Sequence, residues 1–181
     1  MDKYYRSTTI LGVRRKGKIA LGGDGQVTFG DMALKQKAVK VREFETDRGI
    51  ILGGFAGAAA DALTLFDKFE QKLDEFSGDL QRSVVELAKE WRTDKYLRHL
   101  DALLALMDKK SSFIVAGDGN VIEPDGPIVA IGSGGGYAQS AATAFLESSK
   151  SLSAKDITKR ALMIAADLCI YTNDVITVLE N

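Results

Sequence analysis

Thr8 and Thr9 stand between a short polar leader, Met1 to Ser7, and an apolar run, Ile10 to Val13. A cut between Ser7 and Thr8 would put a hydroxyl nucleophile and a basic α-amine on one residue, so that the amine takes the proton the hydroxyl gives up. With the leader attached, Thr8 carries an amide nitrogen instead, and the chain as written is an inactive precursor. A Thr-Thr pair alone reads as strand preference, because branched side chains fit a pleated surface. The residues downstream add chemistry: Gly22-Gly23-Asp24-Gly25-Gln26, then Lys40, then Gly53-Gly54-Phe55-Ala56-Gly57. In isolation, Asp24 is a turn residue bonding its own backbone, and Lys40, among the alternating charges of Lys35 to Arg42, belongs to the solvent face of a strand. Paired and buried, they would place a cation beside the nucleophile, stabilising its deprotonated form and lowering the pKa of a nearby amine. Gly53-Gly54 at a strand end is either a packing feature or the source of a backbone N–H for a tetrahedral oxyanion.

Other candidate motifs are weaker. Gly132-Ser133-Gly134-Gly135-Gly136 precedes a helix and could cradle phosphate, but it lacks the full dinucleotide fingerprint. Gly12-Val-Arg-Arg-Lys-Gly17-Lys18-Ile19 nearly spells a P-loop, with Ile19 where the Mg²⁺-binding Ser or Thr belongs and a hairpin in place of a strand-to-helix turn. ATP hydrolysis by that machinery is excluded. His99, the sole histidine, sits among charged residues on a helix surface, and no Gly-x-Ser-x-Gly elbow accompanies it. One histidine and one cysteine also argue against zinc. Cys169 lies in the apolar stretch Ala165 to Tyr171 and reads as buried packing.

Composition sets the frame. With 181 residues, 45% hydrophobic and 27% charged, the chain can bury one substantial core, and one domain over 8–181 is expected behind the 1–7 leader. Its 24 basic and 25 acidic residues are interspersed, which gives no reason to expect nucleic acid or an anionic membrane. No apolar stretch approaches the roughly 18 residues of a membrane span, and a single cysteine suits a reducing compartment, so a cytosolic protein is expected.

The elements that must position these residues can be read from periodicity. Thr9 to Val13 and Lys18 to Leu21 read as a hairpin, 24–31 as a Gly/Asp-rich loop, and 38–44 and 50–55 as two further strands around Thr46-Asp47-Arg48-Gly49. Leu65, Phe66, Phe69, Leu73 and Phe76, then Leu80, Val84, Leu87, Ala88 and Trp91, recur at helical spacing either side of Ser77-Gly78-Asp79. The pattern from Leu97 to Met107 fits either more helix or a return strand. Strands at 112–116, 121–122 and 128–131, helices at 137–148 and 153–169, and a last strand at 175–179 complete the order. Strands come in runs, which disfavours a doubly wound parallel sheet and predicts a layered α+β domain with two sheets face to face and helices outside.

Taken together, Thr8-Thr9-Ile10, Gly22-Gly23-Asp24-Gly25-Gln26-Val27, Lys40-Val41-Arg42, Gly54-Phe55-Ala56-Gly57, Ala60-Asp61-Ala62, Glu86-Leu-Ala-Lys89, Trp91-Arg-Thr-Asp94, Ala130-Ile-Gly-Ser-Gly134 and Cys169-Ile-Tyr-Thr-Asn173 resemble the HslV family. These are the peptidase components of bacterial HslVU proteases, relatives of proteasome β subunits. The resemblance implies an N-terminal-nucleophile hydrolase fold, a four-layer αββα sandwich. It implies Thr8 as nucleophile, Asp24 and Lys40 as its supporting carboxylate and amine, the Gly54 N–H as oxyanion donor, and Ser133 near the amine. It further implies a monovalent cation, usually sodium, on the carbonyls of Ala166, Cys169 and Thr172, two stacked six-membered rings, and hexamers of the ATPase HslU that use ATP and Mg²⁺ to deliver unfolded proteins. The chain departs from the family in having Ala166 where Gly is common, in extra length around Glu45 to Gly49, and in a leader longer than a removable methionine. Competing readings are an amidase for a small amide, a silent ring subunit that keeps its leader, and a nucleotide-binding module on Gly132 to Gly136.

Overall fold

A computed structural model describes residues 8–29, 32–100, 102–116 and 118–181; the expected leader, 1–7, lies outside them. Strands β1 (Thr9–Arg15) and β2 (Lys18–Asp24) form the first hairpin, turning at Lys16-Gly17. A small hairpin, β3 (Val27–Phe29) and β4 (Met32–Lys35), comes next, and then β5 (Val41–Thr46) and β6 (Gly49–Gly57). Helices α1 (Ala59–Glu75) and α2 (Leu80–Thr93) lead into β7 (Ala102–Met107), β8 (Ser112–Ala116), β9 (Val121–Ile122) and β10 (Ile128–Gly132). Helices α3 (Gly135–Ser148) and α4 (Ala154–Leu168) and strand β11 (Ile176–Glu180) complete the chain. No helix among the described residues is long and apolar enough to cross a membrane.

Two antiparallel sheets, ordered β10-β1-β2-β11 and β5-β6-β7-β8-β9, stack face to face. Strand alternation shows why. Ile10, Ile19 and Leu21 point into the layer between the sheets, where Ala105, Met107 and Val129 meet them. The neighbours Leu11, Val13 and Ala20 face the other way, onto Ala138, Ala142, Ile157 and Leu162 of α3 and α4. In the second sheet, Leu104 and Leu106 turn outward onto Phe66, Phe69, Leu87 and Trp91 of α1 and α2. Strands buried on both faces carry near-continuous apolar runs, which makes them visible in sequence and gives three apolar layers between four structural ones. The expected α+β, αββα sandwich is the observed architecture.

Local chemistry sets the boundaries. Ser77 and Gly78 adopt left-handed φ values of 52° and 71° and end α1, after which the Asp79 side chain caps α2 by accepting from the Arg82 N–H at 3.0 Å. Ser153 and Asp156 form a complete capping box at the start of α4. The stretch left open between Leu97 and Met107 resolves into one 3₁₀ turn, Leu97–His99, and then strand β7. His99 is exposed, as expected.

Two expectations need correction. The segment expected as loop carries β3, paired with β4, because a three-residue strand beside Gly and Asp leaves no readable alternation. The strand expected from residue 38 begins at Val41, since 37–40 run irregularly toward the interior and bring Lys40 inside. Gly12 and Gly54 mark close approaches of the two sheets: a Cβ on Gly54 would lie 2.6 Å from Ile10 Cγ2 and 3.0 Å from Leu21 Cδ2. Gly54→Ala should therefore overpack the inter-sheet layer and cost about 1–3 kcal/mol. Urea unfolding measures this, and a wild-type midpoint would remove the close-approach role.

Candidate active site

Asp24 is the last residue of β2 and lies opposite Thr9, one step beyond the Ile10–Gly23 pair. Its carboxylate is fully buried, and four donors converge on it. Oδ1 accepts from the Thr9 N–H at 2.7 Å and from Lys40 Nζ at 3.1 Å. Oδ2 accepts from the Gln26 N–H at 2.9 Å and from the Asn173 N–H at 3.5 Å. Lys40, 3% exposed, also donates to the Gln26 carbonyl. The solvent-face reading of Lys40 is thereby overturned. Burial pushes the Lys40 ammonium below its ordinary pKa, loss of hydration outweighing the attraction of Asp24.

Thr8, also buried, shares with Lys40 the wall of a cavity of ≈ 340 Å³ that Phe55, Gly57, Val39 and Leu63 extend on its apolar side. Val39 and Leu63 are well exposed, so the cavity opens beside an apolar rim. The polypeptide around Thr8 is held by the turn after β10. Gly132, at φ 88°, packs so closely that a Cβ there would lie 2.0 Å from the Thr8 carbonyl oxygen, and one on Gly134 would lie 2.1 Å from Thr9 Oγ1. Ser133 sits between these glycines, exposed. The Gly-rich run that resembled a phosphate cradle thus packs against the two threonines. Thr9 Oγ1 in turn shares a hydrogen bond of 2.7 Å with Thr172 Oγ1.

Of the expected site residues, Thr8 and Lys40 line one cavity, Asp24 pairs with Lys40 behind it, and Ser133 lies on the adjoining turn. Gly54 does not join them. It pairs with Val41 and Ala105 in mid-sheet, its bare face packed on Ile10. The Phe55 N–H donates to the Lys40 carbonyl, so alternation turns the Gly54 N–H toward β7 and the Gly57 N–H back toward the β5 side, where β5 has not yet begun. Gly57, at φ 125°, is the glycine on the cavity wall. Both glycines belong to the Gly54-Phe55-Ala56-Gly57 motif, and only the pairing register tells them apart.

Ala166 lies in the last turn of α4, where helix carbonyls have no partner in the helix, and the Cys169 carbonyl accepts from the Thr172 N–H at 3.0 Å. Carbonyl oxygens of this kind fit a hard cation such as Na⁺. Ala166 need not disturb that donor set, since the ligand would be main-chain oxygen. Residues that sequence reasoning left without a role are Gln26, Gly132 and Asn173, although the last stands in the Cys169 to Asn173 motif.

A family model for proteasome subunits matches residues 4–180. The chain belongs to the proteasome family. Among solved structures, this proteasome-family chain is similar to eukaryotic HslV from Trypanosoma brucei, at 42% identity over 95% of this chain and 98% of that one, with a TM-score of 0.87. Two structures of BPH from Thiobacillus denitrificans, one in complex with epoxomicin, match at 22% and 21% identity, 96% of this chain and 97% of theirs, and a TM-score of 0.72. At that identity the BPH likeness shows the fold alone. The N-terminal-nucleophile fold expected from the motifs is the family's, and the chain is a peptidase subunit of the proteasome type.

The Lys40 shift has a definite sign. Between the lowered folded value and the ordinary one, the unfolded chain holds the proton that the folded chain has released, so this group's contribution to stability rises with pH across that window. Titration of ¹³Cε-labelled lysines by NMR should place Lys40 below the exposed lysines; a midpoint at or above theirs would contradict the burial argument.

Proposed function

We propose that this chain is the peptidase subunit of an ATP-dependent protease, with Thr8, freed by removal of residues 1–7, as its N-terminal nucleophile. The observation that carries this is Lys40, held by Asp24 in a buried ion pair, lining one cavity together with Thr8. Thr8 Oγ1 attacks the scissile carbonyl and its proton passes to the Thr8 α-amine, directly or through one water; an ordinary α-amine of pKa about 8 suits that task near neutral pH. Lys40 places positive charge at the nucleophile, and Asp24 fixes its ammonium by charge and hydrogen bond. The developing oxyanion is received by the Gly57 N–H, in the role expected of Gly54. Ser133, on the turn that abuts the Thr8 carbonyl, orients the amine. The amine returns the proton to the leaving group, and water, activated by the same amine, releases the acyl-enzyme.

The same reading extends to the assembly. Two six-membered rings of this chain would enclose the Thr8 sites in a chamber, and an HslU-type ATPase, consuming ATP with Mg²⁺, would unfold protein substrates and thread them inward. The near-miss at Gly12 to Ile19 supports that division of labour, since it forms a plain hairpin here. Na⁺ on the carbonyls of Ala166, Cys169 and Thr172 would brace the loop whose Thr172 hydroxyl holds Thr9. A cytoplasmic location accords with the single free cysteine, Cys169.

Thr8→Ala should abolish peptide hydrolysis while leaving the assembled particle intact by size-exclusion chromatography. Retained turnover would move the nucleophile elsewhere. Hydrolysis by the wild-type particle should rise sharply on adding the ATPase with ATP, and indifference to the ATPase would favour the self-standing amidase.

A further inference from the structure

Between Asp24 and Lys40 the chain leaves the sheet, makes the β3–β4 hairpin and returns, so the spacing of the two arms of this excursion sets how the carboxylate meets the ammonium. The arms are joined at their base by the Ala38 N–H donating to the Gly25 carbonyl at 2.9 Å. They approach closely there: a Cβ on Gly25 would lie 2.4 Å from the Gln36 carbonyl oxygen. Asn173 reaches this base from the far end of the sequence. Its Oδ1 accepts from the Gly25 N–H at 2.9 Å and the Val175 N–H at 3.3 Å. Its Nδ2 donates to the Gln36 carbonyl at 2.9 Å and to Gln36 Oε1 at 2.7 Å. Two donors face the oxygen and two acceptors face the nitrogen, so only this orientation of the amide satisfies the network.

We infer that Asn173 is a positioning residue: its amide clips the outgoing arm at Gly25 to the returning arm at Gln36 and so sets the placement of Lys40 against Asp24 and Thr8. The inference rests on the catalytic reading of Thr8, Asp24 and Lys40. Three further contacts bring the same loop to the same place. The Asn173 N–H bonds Asp24 Oδ2, Gln26 Nε2 donates to the Ile170 carbonyl at 2.9 Å, and Thr172 Oγ1 meets Thr9 Oγ1. The loop after α4 is thus built against the carboxylate and both arms, with Asn173 as the member whose side chain spans the two arms. Since the clip touches neither Thr8 nor the apolar rim at Val39 and Leu63, its loss should alter the chemical step more than substrate capture.

The test is steady-state hydrolysis of a fluorogenic peptide by the assembled particle. Asn173→Asp keeps size and the Gly25 acceptor but sets an oxygen against the Gln36 main-chain carbonyl, which cannot donate. It should lower kcat about tenfold or more with KM changed less than about threefold, because small displacements of catalytic groups act mainly on the reaction step. Adding Gln36→Lys supplies a donor opposite the new carboxylate and should restore kcat to within about threefold of wild type. If Asn173→Asp does not assemble, Asn173→Ala, which removes the clip without adding charge, is read in the same way for the single variant. Wild-type kcat in the single variant, a loss carried mainly by KM, or no recovery in the double variant would each overturn the inference. A failure of the catalytic reading is distinguishable, since it shows as activity in Thr8→Ala with Asn173 unchanged.

Discussion

The buried ion pair of Lys40 and Asp24 is the constraint around which this end of the sandwich is organised. Taking two opposite charges out of water costs several kcal/mol per ion, and their attraction offsets it only when the remaining hydrogen-bonding capacity is filled. Here it is filled from distant parts of the chain: Asp24 accepts from the backbone of Thr9, Gln26 and Asn173, and Lys40 donates to the Gln26 carbonyl. Each bond that makes the pair tolerable also fixes a chain segment. The residue after Thr8, the start of the β3–β4 excursion and the loop after α4 are placed by one carboxylate. Burial lowers the Lys40 pKa, loss of hydration outweighing the attraction of Asp24, and the charge so held borders the cavity that Thr8 lines.

The αββα layering supplies the rigidity this requires. β1 and β2 are buried on both faces, by the second sheet on one side and by α3 and α4 on the other, so Thr9 and Asp24 sit at strand ends that cannot shift without disturbing two cores. Glycines then allow backbone to approach where side chains could not. Gly132 abuts the Thr8 carbonyl, Gly134 abuts Thr9, and Gly25 abuts Gln36. The cavity lies on the side where β5 starts late, at Val41, which leaves the end of β6 and its Gly57 without a strand partner there.

The layered architecture was legible in the sequence because its central strands are apolar on both faces and α1, α2 and α4 are amphipathic. Leu97 to Met107 read ambiguously because the short continuous apolar run that ends it has no period of its own. Asp24 and Lys40 were candidates by residue type, and family resemblance alone favoured their pairing, since local pattern made one a turn residue and the other a surface charge. Burial of Lys40 depends on the irregular path of 37–40, which no periodicity encodes. Gly54 and Gly57 occupy one motif and could not be told apart in sequence; strand register, a long-range property, buries Gly54 in mid-sheet and leaves Gly57 on the cavity wall. Asn173 gave no signal beyond its motif. Its partners lie 137 and 148 positions away, at Gln36 and Gly25, and contacts at that separation leave no trace in a single sequence.

The proposed chemistry depends above all on Thr8 reacting as a free N-terminal residue. The direct measurement is to treat the assembled particle with an electrophilic peptide inhibitor and map the covalent adduct by mass spectrometry. The adduct should fall on the first residue of a chain that begins at Thr8. Labelling of another residue, or labelling of chains that still carry residues 1–7, would contradict it.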